Sequence, residues 1–409
     1  MKLRLLLIIA CVSLPFLCQS VKGQQKSKEY SNTAQSVASR MYPGWNLGNT
    51  MEATGEGLAA ETSWQTTKTT QEIISFVQSQ GFRSVRIPCS WDIHSDQQGR
   101  IDPQWLARVK EIVDACIRCG LYVVLNDHWD NGWIEVKGFS KTDKSYEKVD
   151  EQTIRAKIQR LQELWTQIAN AFKDYDEHLL FAGLNEPFQQ YNLFHGRHQE
   201  LTPVLQRYNQ AFVDAVRRTG GKNKKRILVV QTPGINISSA VDEKIHFTMP
   251  GDPAGKGRLM VEVHYYDPWD FCGQEEGGKW FWGQSHHVAG DDHNCQWGEE
   301  GWTAKQFAAM KKKFYDQGYP VVLGEYGAQW REVGSRQKEH DASIKAWFKD
   351  VTRKAISNGC VPMVWDINSI QQHGEKGTMT LIDRAHLKIF NQAAVDGIAE
   401  GVQSAQWPD

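Results

Sequence analysis

Two short segments of the chain each place a glutamate directly after an apolar run. In "HLLFAGLNEPF" (178–188) the run leads to Glu186, and Pro187 then prevents a strand from continuing. In "PVVLGEYG" (320–327) an equally apolar run leads to Glu325. Two carboxyls can divide acid–base and nucleophilic work between them if the fold brings them together. The rest of the chain must therefore supply a scaffold in which the two runs end side by side.

Helical segments alternate with apolar, β-branched runs along the whole chain. The runs are apolar on both faces, which is typical of a parallel sheet covered by helices. Eight of them are predicted as strands, at 44–49, 84–91, 122–129, 179–187, 227–234, 259–268, 320–327 and 361–368. The pattern predicts an α/β fold, a single (β/α)8 TIM barrel. An open doubly wound sheet is the alternative, and it is less favoured because no Gly-x-Gly-x-x-Gly follows the first run.

Glycines and capping residues mark the ends of the predicted helices. Left-handed caps are predicted at the glycines that close five helical segments, Gly81, Gly120, Gly220, Gly318 and Gly359. Asp102 followed by Pro103 predicts the start of one helix, and Thr303 with Gln306 predicts a capping box at another.

Functional side chains of such a barrel lie at the C-terminal ends of its strands. Those ends are unusually rich in titratable, amide and aromatic residues: Asn46, Asn49, Arg86, His128, Trp129, Asn185, Glu186, His264, Tyr265, Tyr266, Glu325, Tyr326, Trp365 and Asp366. Stability alone would favour small turn residues at these places. We therefore predict that the active site lies at this mouth of the barrel.

The chemistry of the site follows from the separation expected between Glu186 and Glu325. Carboxyls about 5 Å apart suit double displacement at a sugar carbon with retained configuration, whereas about 6.5–9.5 Å suits a single inverting displacement. One carboxyl must be protonated and the other ionised, so their environments must separate their pKa values. For either glutamate taken alone, a salt-bridged strand end is the structural alternative.

Two neighbours are predicted to act on Glu325 and one on the sugar. Arg86 is expected to hold Glu325 ionised through a charge-assisted fork, and Tyr266 to donate to the same carboxylate. Asn185 is expected to bind a sugar hydroxyl next to the reacting carbon, a contact that strengthens in the transition state.

The remaining strand-end residues suggest a sugar platform and a polar network. Trp365 is expected to form the floor for the ring being cleaved, with His128 and His264 completing the network around the acid. A metal site built from these histidines with Glu262 and Asp127 is a weaker interpretation. Glu262 and His264 share a face of their strand, but Asp127 and His128 point in opposite directions.

These motifs resemble glycoside hydrolase family 5, and within it the bacterial endo-β-1,4-glucanase (cellulase) subgroup. The segments "GWNLGNTMEA", "VRIPCSW", "LNDHWDNGW", "GLNEP", "VEVHYYDPWDF", "VLGEYG" and "WDIN" follow the order of that family. The resemblance implies that Glu186 is the general acid/base and Glu325 the nucleophile. It implies supporting and substrate-binding roles for Asn46, Arg86, His128, Trp129, Asn185, His264, Tyr266 and Trp365. Trp129 stands where many members carry a second histidine, and we interpret it as a wall of a sugar subsite.

The predicted function is hydrolysis of β-1,4-linked glucan (cellulose-type, xyloglucan or mixed-linkage chains) by a retaining, endo-acting enzyme that needs no cofactor or metal. The same mechanism on mannan or xylan is one alternative, and a non-catalytic carbohydrate-binding barrel is another. The formal net charge is −1, which excludes a basic field for nucleic acid. A β-glucan polysaccharide or oligosaccharide is therefore the expected partner, and we expect the protein to work as a monomer without a protein partner.

The N-terminal residues have the layout of a secretory signal peptide. Positive charge at Met1–Arg4 precedes the short apolar stretch "LLLIIACVSLPFL", which is too short to span a bilayer. We predict a signal peptide over 1–23, a flexible lead-in over 24–40, the catalytic domain over 41–400 and a C-terminal tail over 401–409. The protein is expected to be secreted, with a lipoprotein anchor at Cys11 as the alternative.

A tryptophan-rich loop after the sixth predicted strand is the expected selector of the polysaccharide. The chain contains 16 Trp, and flat indole faces pack well against sugar rings. In this loop Trp280, Trp282 and Trp297 are predicted either to form subsites or to anchor the loop. Cys272 and Cys295 bracket the loop and could form a disulfide in an oxidising compartment.

Overall fold

A computed structural model of the protein describes residues 32–136, 150–188 and 198–409, together with the backbone of a two-stranded pair, Phe139–Ser140 with Ser145–Tyr146. Eight parallel strands form a closed barrel in which each strand pairs with the next along the chain and the last pairs with the first. They are β1 (Gly44–Asn46), β2 (Ser84–Ile87), β3 (Tyr122–Asn126), β4 (Leu179–Ala182), β5 (Leu228–Asn236), β6 (Leu259–Tyr265), β7 (Val321–Tyr326) and β8 (Cys360–Val364). The predicted single (β/α)8 barrel is confirmed.

Helices pack around the barrel and connect its strands. In the described residues they are α1 (Ala34–Ala38), α2 (Gln71–Ser79), α3 (Pro103–Arg118), α4 (Glu151–Ala171), α5 (His198–Arg218), α6 (Ile237–Val241), α7 (Trp269–Cys272), α8 (Glu300–Lys313), α9 (Gln337–Ser357) and α10 (Gln392–Gln403). A second short pair, Ile382–Asp383 with Lys388–Ile389, follows β8. None of the helices in the described ranges is long and apolar enough to cross a bilayer.

Helix α3 shows how the sequence pattern produces the outer layer. Asp102 caps its start by accepting from the Gln104 amide at 2.8 Å, and Pro103 occupies the first turn as predicted. One face of α3 is then buried against the barrel, with Trp105 and Val109 among its inward side chains. Each fully buried apolar side chain of this size contributes about 1.5–3 kcal/mol relative to exposure.

The predicted helix ends are confirmed in part. The five capping glycines all have positive φ, from 72° at Gly120 to 95° at Gly81. The capping box at Thr303 is wrong, because α8 begins at Glu300 and Thr303 lies one turn inside it. The Thr303 hydroxyl donates instead to the carboxylate of Asp350 at 2.7 Å, so it ties α8 to α9.

The boundaries predicted for the barrel domain need correction at both ends. Within the predicted flexible lead-in (24–40), α1 forms a buried helix whose Val37 packs with Met41 and side chains from the barrel interior. In the predicted tail (401–409), Trp407 stacks on Tyr42 with 5.3 Å between ring centroids. Apolar burial holds α1 and Trp407 on the N-terminal side of the barrel. The predicted signal peptide (1–23) lies outside the described residues.

Seven of the eight strands also end earlier than predicted at the C-terminal mouth of the barrel, whereas β5 continues to Asn236. β4 stops at Ala182, so Glu186 lies in the loop after the strand rather than at its last step. Gly183 follows directly and has Phe212 packed against it, where a Cβ would come within 2.8 Å of the ring. The chain turns away at this close contact, before Pro187 can end the strand.

The six cysteines of the described part, Cys89, Cys116, Cys119, Cys272, Cys295 and Cys360, are free thiols. A bridge between Cys272 and Cys295 is therefore not formed in this structure. Both are buried, in agreement with small side chains that fill the base of the loop after β6.

Candidate active site

Glu325 is presented by a bulge near the end of β7. Against β6 the register runs from Val263 opposite Leu323 to His264 opposite Glu325, so one residue of β7, Gly324, is left over. A Cβ on Gly324 would lie 2.0 Å from the Glu262 carboxylate, which leaves room only for glycine. Bulges commonly redirect side chains beside active sites, and this one sets Glu325 next to His264.

Arg86 lies beneath the site and contacts three of its residues. Its guanidinium contacts Glu325 through Nη1 (3.0 Å), Asn185 Oδ1 through Nη2 (2.5 Å) and Glu262 through Nε (2.9 Å). The predicted contact between Arg86 and Glu325 is present, but it uses one nitrogen rather than a two-point fork, and the guanidinium is shared with Asn185 and Glu262. Arg86 is fully buried, and a buried charge is retained only when its partners are this close.

Asn46 supports Arg86 and stays away from the cleft. Its Oδ1 accepts from Arg86 Nη1 at 3.0 Å, and its amide nitrogen donates to the carbonyls of Gly324, Met363 and Val364. The side chain is fully buried. Asn46 therefore joins β1 to β7 and β8 and is a positioning residue rather than a contact for substrate.

The two predicted glutamates lie on either side of His264. Its Nδ1 is 2.6 Å from Glu186 Oε1 and 3.6 Å from Glu325 Oε2. One ligand atom from each of the three residues lies within 4.8 Å of the other two, in agreement with the expected separation of about 5 Å. Their environments differ, since the side chain of Glu186 is 36% exposed and that of Glu325 only 8%.

Burial and charge shape the protonation of this group. Burial opposes a charge on His264, but the carboxylates of Glu325, Glu186 and Glu262 outweigh it and raise the His264 pKa to about 9. Burial raises the pKa of Glu325, and the Glu186 charge adds to this, while His264 and Arg86 act in the opposite direction. Burial also disfavours the Glu262 carboxylate, yet Arg86 and His264 lower its pKa overall.

Tyr266 completes the surroundings of Glu325. Its hydroxyl donates to Glu325 Oε2 at 2.9 Å, as predicted, and leaves Oε1 to Arg86. Burial and the adjacent Glu325 charge raise the pKa of Tyr266 well above its ordinary value, so it remains a donor. Both oxygens of Glu325 are thus held by donors.

The aromatic side of the mouth contains His128, Trp129 and Trp365. His128 stacks on Trp365 with 5.9 Å between ring centroids and 5° between planes, and its Nδ1 lies 3.2 Å from the Asn126 amide. Burial and the positive charges of Arg86 and His264 lower the His128 pKa well below its ordinary value, which keeps it neutral.

A cleft of about 380 Å³ opens above the glutamates. His128, Trp129, Asn185, Glu186 and Glu325 line it, together with residues of the loop after β3. A larger groove, about 750 Å³, lies on the outer surface along α4 and is lined by amide, charged and threonine side chains. The paired carboxyls identify the barrel mouth as the reactive site.

The donor set of the mouth fits proton transfer better than metal binding. Glu186, His264 and Glu325 are close enough to share a cation. However, a His264 with a pKa of about 9 carries a proton on the nitrogen that a metal would need, and Arg86 already supplies positive charge to Glu325. The alternative metal set with Asp127 and His128 is not brought together, because Asp127 accepts from Trp133 Nε1 at 3.2 Å.

Sequence reasoning assigned Glu262 only to a possible metal site and missed Glu135 altogether. Glu262 lies in the middle of β6, where it contacts Arg86 and accepts from Gln231 at 2.8 Å. An acidic residue inside the apolar run "LMVEVHYY" was the signal, since a buried charge needs a partner. Glu135 lines the cleft from the loop after β3, and no pattern in the sequence distinguished it from a surface residue.

The tryptophans of the loop after β6 play different parts. Trp282 is buried and donates to the Gly298 carbonyl at 2.9 Å, so it anchors the loop. Trp280 stacks on His293 at 3.5 Å between centroids. Trp297 is 43% exposed and is the member of the predicted trio that offers an open indole face.

Trp269 is a second open ring that the sequence analysis overlooked. It is 56% exposed and meets Tyr266 edge to face, with 6.4 Å between centroids. Gly273 lies beneath it, where a Cβ would approach the indole within 2.3 Å. The ring therefore lies at the rim of the mouth and contacts Tyr266, which in turn donates to Glu325.

A closed (β/α)8 barrel with paired carboxyls, a sugar-sized cleft and open indole rings at its mouth defines a glycoside hydrolase. The model of cellulase (glycosyl hydrolase family 5) matches residues 50–371. The chain belongs to glycoside hydrolase family 5, and it is a cellulase-type enzyme acting on β-1,4-glucan.

Individual relatives agree with this assignment. The chain is 55% identical to a GH5 xyloglucan-specific β-1,4-glucanase from a ruminal metagenomic library, solved with the oligosaccharide XXLG; the match covers 92% of this chain and 98% of that one, with a TM-score of 0.86. A Bacteroides ovatus GH5 xyloglucanase with bound XXXG is 31% identical, over 91% and 77% of the chains, with a TM-score of 0.79. Endoglucanase A of Paenibacillus barcinonensis is 34% identical over 91% of both chains.

Proposed function

We propose that the protein is a secreted, retaining endo-β-1,4-glucanase that cleaves xyloglucan, with Glu325 as nucleophile and Glu186 as acid/base. The mechanism rests on the positions of the two carboxyls. One carboxylate oxygen of Glu186, one of Glu325 and a ring nitrogen of His264 all lie within 4.8 Å of one another. At that spacing a water molecule does not fit between the second carboxyl and the anomeric carbon. Single displacement requires such a water, so the geometry favours double displacement.

In the first step Glu186 gives its proton to the glycosidic oxygen while Glu325 attacks the anomeric carbon. The C–O bond to the leaving chain breaks and a bond to a Glu325 oxygen forms. Arg86 and Tyr266 orient Glu325 by holding one oxygen each. Asn185, fixed by Arg86 at 2.5 Å, presents its amide to the hydroxyl beside the reacting carbon.

In the second step Glu186, now ionised, takes a proton from water, and the water oxygen replaces Glu325 on the sugar. Two inversions give net retention. His264 lies between the glutamates and, as a cation, stabilises the carboxylate that is ionised at each stage. Trp365, stacked on His128, supports the sugar ring at the cleavage point.

Xyloglucan is favoured among the β-glucans because the 55% identical relative is named as specific for it. A branched glucan also needs a mouth that is open above the main chain, and Trp269, packed edge to face on Tyr266, leaves an open indole face at its rim. Mixed-linkage glucan is the second candidate, since lichenases at 28% identity have the same fold.

A panel of soluble polysaccharides tests the proposal. Reducing ends should appear fastest on xyloglucan, more slowly on mixed-linkage glucan and carboxymethyl-cellulose, and not on mannan or xylan. Proton NMR of the first product should show the β-anomer before mutarotation. An initial α-anomer would refute retention, and preference for unbranched glucan would refute the xyloglucan assignment.

Secretion is supported by the charged and apolar residues at the start of the chain. The mature N-terminus of protein recovered from the native culture medium tests it. Cleavage near residue 23 is expected, whereas a lipid on Cys11 in the membrane fraction would support the alternative.

A further inference from the structure

Glu135 is a carboxyl of the cleft for which the mechanism above has no role. It lies in the loop after β3 and lines the same cleft as Glu186 and Glu325. Its Oε1 accepts from the backbone amide of Phe188 at 2.8 Å. Its Oε2 is buried and has no hydrogen-bond partner within the described part of the chain. A buried carboxylate oxygen without a partner is costly, so stability does not account for it.

The contact with Phe188 fixes the turn that carries Glu186. Phe188 comes two residues after Glu186 and has φ of 69°, a left-handed conformation that a bulky residue rarely adopts. A hydrogen bond to its amide helps hold that conformation. Glu135 therefore acts on the position of Glu186 through the backbone.

Charge provides a second connection between the same residues. Burial raises the pKa of Glu135 to about 7, with the charge of Glu186 contributing, while Lys157 on α4 and the Phe188 amide oppose the rise. Tyr208 on α5 also faces Glu135, whose charge helps raise the Tyr208 pKa. The two carboxyls repel each other when both are ionised, so Glu135 can add negative charge beside Glu186.

We propose that Glu135 is a positioning residue for the acid step, which holds the turn after Glu186 and helps Glu186 keep its proton in the alkaline part of the working range. His264, 2.6 Å from Glu186, places positive charge beside the same carboxyl, and the charge of Glu135 offsets it. This inference rests on the proposed acid/base role of Glu186.

The test compares Glu135→Gln with the wild type. Glutamine can still accept from the Phe188 amide but carries no charge. On xyloglucan the alkaline limb of kcat/KM should move to lower pH by about 0.5–1 unit, because about 1.4 kcal/mol of interaction corresponds to one unit. The acid limb should stay in place, since Glu135 is neutral there. Glu163→Gln, an exposed change on α4, is the control and should leave both limbs unmoved.

A 2,4-dinitrophenyl β-glucan oligosaccharide separates the acid step from other effects, because its leaving group departs without protonation. With this substrate the Glu135→Gln profile should coincide with that of the wild type. Equal shifts on both substrates, or no shift on xyloglucan, would overturn the proposal. Glu135→Ala, which also loses the Phe188 contact, should lower kcat on xyloglucan at every pH, and an unchanged kcat would remove the positioning role.

The variant Glu186→Gln tests the proposed acid/base role of Glu186 separately from the role of Glu135. That variant should lose activity on xyloglucan but keep the first step on the dinitrophenyl substrate, measured as the burst of dinitrophenolate release. Full activity on xyloglucan would refute the acid/base role itself, whereas the expected loss together with an unshifted Glu135→Gln profile would refute only the role of Glu135.

Discussion

Tyr266 donates its hydroxyl to Oε2 of Glu325 at 2.9 Å. A hydrogen bond to a carboxylate favours the ionised form, so this contact opposes the effect of burial on Glu325. In Tyr266→Phe the pKa of Glu325 should rise further. Because Glu325 must be ionised to attack, the acid limb of kcat/KM should move to higher pH by about 0.5–1 unit. The pH profile on xyloglucan measures this.

Tyr265 provides the matched control. It precedes Tyr266 in the sequence, but it points to the opposite side of β6 and packs on Trp347. Tyr265→Phe should leave the profile unchanged. A shift of the same size in both variants would show that the effect comes from packing rather than from the hydrogen bond.

Removal of Glu325 should abolish turnover without preventing folding. Because the nucleophile is lost, kcat in Glu325→Ala should fall by at least about a thousandfold. Azide should restore cleavage of the dinitrophenyl oligosaccharide and yield an α-glycosyl azide, since it attacks from the vacated side. Circular dichroism and oligosaccharide affinity show whether the variant is folded. A β-azide product would mean that Glu325 is not the nucleophile.

Removal of the acid should have a smaller effect that depends on the leaving group. Glu186→Gln should lower kcat on xyloglucan by about 100- to 10,000-fold and affect the dinitrophenyl substrate much less in the first step. Burst kinetics with the activated substrate should show accumulation of the glycosyl-enzyme, because Glu186 is also needed as the base. The absence of a burst would argue against two roles for one residue.

Gly324→Ala should damage both stability and activity. The new Cβ would lie 2.0 Å from Glu262 Oε1, so the bulge must shift and carry Glu325 with it. Overpacking of this kind costs about 1–3 kcal/mol. Gly301→Ala is the control, because the position at the start of α8 has open space. Thermal stability and kcat should both fall in the first variant only, since alanine is the better helix former at position 301.

His264 should make stability depend on pH. Its pKa is raised to about 9 from an ordinary value of 6.5, so its stabilising contribution is fully present below pH 6.5 and is lost as pH rises through about 9. The difference in Tm between the wild type and His264→Gln should therefore be largest below pH 6.5 and should decrease towards pH 9. Parallel Tm curves would show that the imidazolium contributes no such stabilisation.

The barrel could be predicted from the sequence because strand periodicity and helix caps are local signals. The pairing of Glu186 with Glu325 followed from the rule that parallel strands end at one mouth. Details that depend on close contacts did not follow. β4 ends before Glu186 because Phe212 packs on Gly183, a contact between distant segments.

The three partners of Arg86 could not be predicted from the sequence either. A single arginine in "SVRIP" gives no indication of which acids surround it, and Glu262 was considered only as a metal ligand. The same holds for α1, whose small residues have no amphipathic pattern strong enough to indicate burial. The partners of Arg86 and the burial of α1 both depend on contacts between distant segments of the chain, which only the folded barrel brings together.

The small helix α1 sets a limit on how the chain can be trimmed. Arg258 donates to the Asn32 carbonyl at 2.7 Å, and Val37 closes the base of the barrel directly after it. A cut after Val37 would remove that side chain from the base and expose the apolar residues it covers to water. The end of the barrel opposite the cleft therefore depends on α1 for its apolar cover.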